Sequence, residues 1–201
     1  MNMPSTYFPT LSGHILPRLF AETPILRQIF LVLTGSLFIA AMAQLAYRNP
    51  ADPFVLYTGQ TFAVLLVGMA LGSRLGALAA LAYCLEGIWF PVFAEARTWA
   101  DPRTIYTAGY LVGFIGAAYV AGFLAERGWD RSVIGTALAM LIGNAVIYVP
   151  GLLWFGYLAL PNNSLMHVLE YGILAYLVVD VLKIILAVAL FPTLWKMLNR
   201  R

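Results

Sequence analysis

The sequence predicts an all-α integral membrane protein, a single bundle of six transmembrane helices with both termini in the cytoplasm. Three observations carry that reading. Of 201 residues, 62% are hydrophobic and only 10% are charged, with a mean hydropathy of +0.83. Soluble domains sit near half apolar and a quarter charged. Six apolar spans can be drawn along the chain, and its basic residues divide unevenly between the two sides that those spans define.

Residues 1–24 carry Pro4, Pro9, Pro17 and Pro24 and lack the short apolar core of a cleavable signal. They read as an N-terminal cytoplasmic tail ahead of a membrane domain over residues 25–198. The first span covers residues 25–47 and the second, shorter, residues 56–71. A tight turn around Gly72, Ser73 and Arg74 leads into the third, residues 75–90. The fourth, fifth and sixth cover residues 107–125, 133–158 and 166–194. A hydrocarbon core of ~30 Å needs about 20 helical residues, so the second span is marginal and reads as untilted or extended by its preceding loop. With the N-terminus inside, Arg18, Arg27, Arg74, Arg127, Arg131, Lys196, Arg200 and Arg201 are cytoplasmic, while Arg48, Arg97 and Arg103 are outside. Eight against three is a positive-inside bias, and an even number of spans returns the C-terminus to the cytoplasm.

Small residues recur every fourth position. Gly109, Gly113, Ala117, Ala121 and Ala125 line the fourth span, Gly72, Gly76 and Ala80 the third, and Gly135, Ala139 and Gly143 the fifth. Such rows let helix backbones approach closely in lipid, where burying apolar area gives no driving force. Ser36 and Ala40 make a shorter row in the first span, suited to packing within the bundle or to docking a partner helix.

The same composition excludes several functions. The pI near 9.1 belongs to basic membrane-flanking loops, because no dense Lys/Arg run suggests nucleic acid. Cys84 is alone, so an intramolecular disulfide is impossible. His14 and His167 lack companions at metal-ligand spacing, and no metal is expected. No G-x-x-x-x-G-K-[ST], G-x-S-x-G or H-E-x-x-H occurs, so the chain neither cradles ATP nor carries a familiar hydrolase nucleophile.

Against that background the stretch LVVDVLKIIL, with Asp180 and Lys183, stands out. Each charge costs roughly 2.5–3.5 kcal/mol at the centre of a membrane helix, whereas a Leu or Ile returns only ~0.3–0.6. Spacing of three puts both side chains on one face. They are either a buried ion pair fixing helix register or a ligand site offering an acceptor beside a donor. Other polar residues gather toward the outer side. Tyr57, Thr58, Gln60 and Thr61 precede the second span, and Glu86 is near the outer end of the third. Glu95, Arg97, Asp101 and Arg103 occupy the loop before the fourth. Asn144 and Tyr148, one turn apart in the fifth, suit helix packing or a cavity wall.

Five pieces occur here in a familiar order: YTGQTFAVLLVGMALGSRLGALAALAY, PVFA, TAGYLVGF, LIGNAVIY and the D-x-x-K of Asp180 and Lys183. Together, over residues 36–187, they resemble the BioY family, the biotin-binding S components of energy-coupling factor (ECF) transporters. The resemblance implies a six-helix subunit of the bacterial cytoplasmic membrane that binds biotin. It works with a transmembrane scaffold subunit and a cytoplasmic ATPase pair, or alone. It has no cofactor of its own, and membrane lipid surrounds it. The resemblance places Asp180 and Lys183 on the ureido ring of biotin, Arg97 on its carboxylate, and Gln60 in the loop capping the site. Tyr83 and Tyr148 become walls of the binding site. The chain also departs from the family pattern: EARTW follows PVFA in place of a glycine-rich stretch, and Glu86 adds a charge where the family is generally apolar. Three other readings stay open from the residues alone: an S component for another vitamin, an intramembrane enzyme using Asp180 and Lys183 as acid and base, and a structural helix bundle.

Overall fold

The computed structural model of the protein describes residues 8–15, 23–50, 52–159, 161 and 163–198. Much of the expected cytoplasmic tail, with Arg18, lies outside them, as do Arg200 and Arg201. A short helix α1 (Leu11–Ile15) places Leu11 in the core. Helix α2 (Pro24–Gln44) starts on a proline, which fits the first helical turn because its missing N–H would have no partner there. One face of α2 buries Leu31, Gly35, Ser36, Ile39 and Ala43, and the opposite face leaves Ile25, Ile29, Phe30, Leu33 and Leu37 exposed. An apolar helix surface of that extent is suited to lipid.

Between α2 and the next helix the expected first and second spans are both cut short. Helix does not continue to residue 47, nor resume at 56. Instead β1 (Ala46–Asn49) and β2 (Asp52–Thr58) form an antiparallel hairpin, with Ala46 opposite Thr58 and Tyr47 opposite Tyr57. The tyrosine rings stack at 6.4 Å, a cross-strand aromatic pair of the kind that stabilises sheets. Helix α3 (Gln60–Leu71) is therefore only 12 residues long. It is the central helix: Ala63, Val64, Leu65, Val67 and Met69 are all buried, as a helix apolar all round must be.

The tight turn expected around Gly72, Ser73 and Arg74 is shorter than that: it is Gly72 alone, at φ +89°, and α4 (Ser73–Glu86) follows at once. The Glu126 side chain accepts the Ser73 backbone N–H at 2.8 Å and so satisfies a donor at the start of that helix. Helix α4 stops at Glu86 rather than near residue 90. Helices α5 (Ala108–Ala125) and α6 (Val133–Ala159) match the fourth and fifth spans closely. Their small-residue row brings backbones together: a Cβ on Gly109 would lie 2.5 Å from the Pro150 carbonyl oxygen. The sixth span is broken. Helix α7 (Leu165–Gly172) ends, a 3₁₀ turn covers Leu174–Tyr176, and α8 (Leu177–Leu198) begins. Tyr110 from α5 donates its hydroxyl to the Gly172 carbonyl at 2.9 Å, holding the break.

Among the described residues four segments, Pro24–Gln44, Pro102–Ala125, Val133–Ala159 and Leu165–Leu198, are long and apolar enough to cross a membrane. Helix α5 packs along α3, α4 and α6, and α8 lies against α6. Beyond the end of α5 a 3₁₀ turn, Trp129–Arg131, buries Asp130 completely; its Oδ2 accepts the Trp195 indole N–H at 2.6 Å. Burial pushes this carboxyl up to about 6, against the opposing pull of Trp195 and Arg131.

Candidate ligand-binding site

A cavity of about 750 Å³ opens between α3, α5, α6 and α8 beneath the hairpin and the loop that precedes α5. That volume is within the usual range for small-molecule sites. At one end stand Asp180 and Lys183. Asp180 lies in the first turn of α8 rather than mid-helix, because the sixth span is split, and it is only 5% exposed. Its Oδ1 accepts from Lys183 Nζ at 3.1 Å, and its Oδ2 accepts from the Tyr148 hydroxyl of α6 in a short hydrogen bond. Lys183 also donates to Thr61 Oγ1 of α3, at 2.8 Å. An ammonium has three donors and a carboxylate about four acceptor positions. After these bonds, one N–H of Lys183 and lone pairs of Asp180 remain for a ligand.

The walls between the ends are apolar and aromatic. Leu111 and Phe114 come from α5, Ile147 and Phe155 from α6, and Tyr176 from the 3₁₀ turn before α8. Tyr110 and Tyr148 meet edge to face at 6.2 Å, and Tyr57 of the hairpin meets Tyr176 in the same way at 5.8 Å.

Another part of the lining is cationic. Arg48 of β1, Arg97 and Arg103 all line the cavity. Arg97 is 8% exposed; it pairs with Glu95 through one terminal nitrogen, and its buried Nε has no acceptor. Glu95 also takes Arg48, with nitrogen–oxygen distances of 2.6–2.9 Å, and approaches Arg103 at 3.9 Å. Burial acts to raise its pKa, but hydrogen bonds from Arg48 and Arg97 win and hold the carboxyl below its ordinary range. Asp101, hydrogen-bonded by the Arg103 side chain and backbone, is held at about 2. Glu95 and Ala96 occupy the left-handed region at φ 58° and 52°. Each costs on the order of 1–3 kcal/mol for a residue other than glycine.

Of the residues singled out in the sequence, Asp180, Lys183, Arg97, Gln60 and Tyr148 line this one cavity. Tyr83 does not. It is wholly buried behind the wall, where its hydroxyl accepts the Gln60 side-chain N–H at 2.6 Å and so orients a lining residue. Asn144 is buried on α6 but likewise misses the lining. Glu86 lies away from the cavity and accepts Ser36 Oγ of α2 at 2.7 Å. Sequence reasoning missed Arg48, Tyr110 and Tyr176 as lining residues. For Arg48 the signal was the turn chemistry of Asn49, Pro50, Asp52 and Pro53 beside it, which marks a hairpin.

The sequence model of the BioY family matches residues 12–200. The chain belongs to the BioY family. BioY relatives agree over most of the length. The "Biotin transporter BioY" of Rhizobium etli is 32% identical over 171 residues, covering 80% of this chain and 89% of that protein. A relative from Bacillus subtilis (strain 168) is 35% identical over 118 residues, 56% of this chain and 59% of its own length. Among solved structures, a crystal structure of the S component for biotin from an ECF-type ABC transporter superposes with a TM-score of 0.70. It covers 85% of this chain and 92% of that one at 19% identity, which establishes the shared fold. BioY proteins are multi-pass membrane transport subunits and not enzymes, so the acid–base reading of Asp180 and Lys183 falls away.

Proposed function

We propose that this chain binds biotin in the membrane for uptake, as the S component of an ECF transporter. The observation that carries the reading is that one cavity is lined both by the Asp180–Lys183 pair and by Arg48, Arg97 and Arg103. A cyclic urea has two N–H donors and one carbonyl. Asp180 has acceptor positions left and Lys183 one donor, and charge-assisted hydrogen bonds are the stronger kind. A thiophane ring and alkyl chain suit the apolar walls, and a carboxylate suits Arg97. Around the loop the guanidinium groups of Arg48, Arg97 and Arg103 gather on Glu95 and Asp101, and all three line the cavity that a ligand carboxylate would enter.

Transport by this chain draws on partners. With no phosphate-binding loop in its sequence, it takes energy from a scaffold subunit and ATPase pair. All six apolar spans, α3 and α4 included, cross or enter the bilayer, and both termini face the cytoplasm. Two experiments test this. Purified protein titrated with biotin should bind it yet hydrolyse no ATP above background; robust hydrolysis by the isolated chain refutes the division of labour. In a Cys84→Ala background, Arg103→Cys should react with an impermeant thiol reagent outside intact cells and Arg127→Cys should not. The reverse pattern inverts the topology.

A further inference from the structure

We propose that Glu95 is a resident competitor for the anion seat. Its carboxylate occupies Arg97 in the empty protein and is displaced onto Arg48 and Arg103 when a ligand carboxylate arrives. The inference rests on the biotin reading above, and four observations support it.

First, Arg97 is nine-tenths buried, lines the cavity and leaves its Nε without an acceptor. Glu95 therefore holds this guanidinium by one nitrogen only. A carboxylate approaching from the cavity can take the Nε edge and its neighbouring nitrogen together, and such bidentate pairing is the stronger geometry. Second, Glu95 has somewhere to go. Arg48 already holds both of its oxygens, at 2.7 and 2.6 Å, and Arg103 is 3.9 Å away, so displacement leaves no orphaned charge. Third, Glu95 and Ala96 hold positive φ, a conformation that side chains resist, so the segment has little local preference for its present state. Fourth, among the described residues Glu95 is the carboxylate that bonds Arg97, while Asp101 is committed to Arg103 through three hydrogen bonds.

Competition lowers apparent affinity in proportion to the fraction of protein in which the seat is free. Removing the competitor should therefore tighten binding of a carboxylated ligand and leave an uncharged analogue alone. The test is calorimetric titration of the detergent-purified full chain with biotin and with biotin amide. Glu95→Gln and Glu95→Gly are both compared with the parent; the glycine variant also relieves the positive φ and so guards against misfolding. Both should bind biotin about three- to tenfold more tightly. The amide should stay within about twofold. In an Arg97→Ala background the gain from Glu95→Gly should vanish. Weaker biotin binding by both variants would show that Glu95 organises the arginines and overturn the proposal. So would equal tightening for both ligands. A parent that binds biotin while both variants match it overturns the competitor alone, whereas a parent binding neither ligand overturns the biotin reading as well.

Discussion

At one end of the cavity Asp180 and Lys183 stand on α8, braced from two further helices by Tyr148 and Thr61. At the other, Arg97 and Glu95 stand in a loop that includes two positive φ angles, and their bonds run to one another and to the hairpin. Helix-borne side chains have positions set by packing on several sides. The Arg97 backbone is pinned by a two-bond bridge to Phe93, but its side chain and that of Glu95 bond chiefly to other long charged side chains, which exchange partners at small cost. On the proposed biotin reading, the difference implies a division of labour: the helix-borne pair would fix which group is recognised, and the loop-borne pair how readily a ligand is held.

The largest expected effect breaks the helical end. Asp180→Asn exchanges a two-oxygen acceptor for a mixed amide and leaves Lys183 without its countercharge. Loss of a hydrogen bond to a charged group should lower biotin affinity roughly 10- to 150-fold in a calorimetric titration. Lys183→Met should do similar damage, and the double variant should lose less than the sum of the two. Single variants that bind biotin like the parent would make the pair structural. Next comes the loop end: Arg97→Ala should weaken biotin about tenfold but hardly change biotin amide, which has no carboxylate to lose. Equal losses for both ligands would mean that Arg97 shapes the cavity rather than reading charge. Tyr148→Phe sharpens the contrast, removing one donor to Asp180 while leaving Asp180 and Lys183 themselves in place; a loss of about two- to tenfold is expected.

The smallest effect concerns stability alone and serves as a control far from both ends. An acid whose folded pKa is raised, as Asp130 is to about 6, favours folding while protonated. The unfolded chain releases its proton nearer 4, so this burial destabilises progressively as pH rises through the window from about 4 to 6. Asp130→Asn should therefore raise the melting temperature by a few degrees at pH 7 to 8, with the gain fading toward pH 4. A gain independent of pH would refute the titration account, and biotin affinity should not move.

How much of this was legible in the sequence follows from what each signal encodes. The turn at Gly72 and the extents of α5 and α6 were readable because long apolar runs end at polar or glycine breaks. Asp180 and Lys183 were readable because charge is conspicuous where insertion is expensive. The hairpin was only half legible: Asn49, Pro50, Asp52 and Pro53 mark its turn, but Val55, Leu56 and Tyr57 make a short apolar run that does not by itself distinguish strand from helix. Nor was the break at Gly172, since it depends on a hydroxyl from α5 reaching its carbonyl, a contact between residues 62 apart. Arg48 became a lining residue only through the hairpin, and Tyr83 and Asn144 fell behind the wall because helix periodicity alone does not say which face meets a cavity.

The break at Gly172 also reconciles a length with a thickness. The apolar segment Leu165–Leu198 has 34 residues, which as one straight rod would reach roughly 51 Å, well beyond a ~30 Å hydrocarbon core. Splitting it leaves α8 with 22 residues, roughly 33 Å, a match to the bilayer. The split also creates a new helix start, and Asp180 lies in its first turn. There the aligned peptide dipoles present their positive pole, which favours a carboxylate by roughly 0.3–2 kcal/mol depending on burial. In an unbroken helix the same aspartate would sit mid-rod with no such field. The restart that keeps α8 to bilayer length thus also gives the Asp180 carboxylate an electrostatic support beyond those of Lys183 and Tyr148.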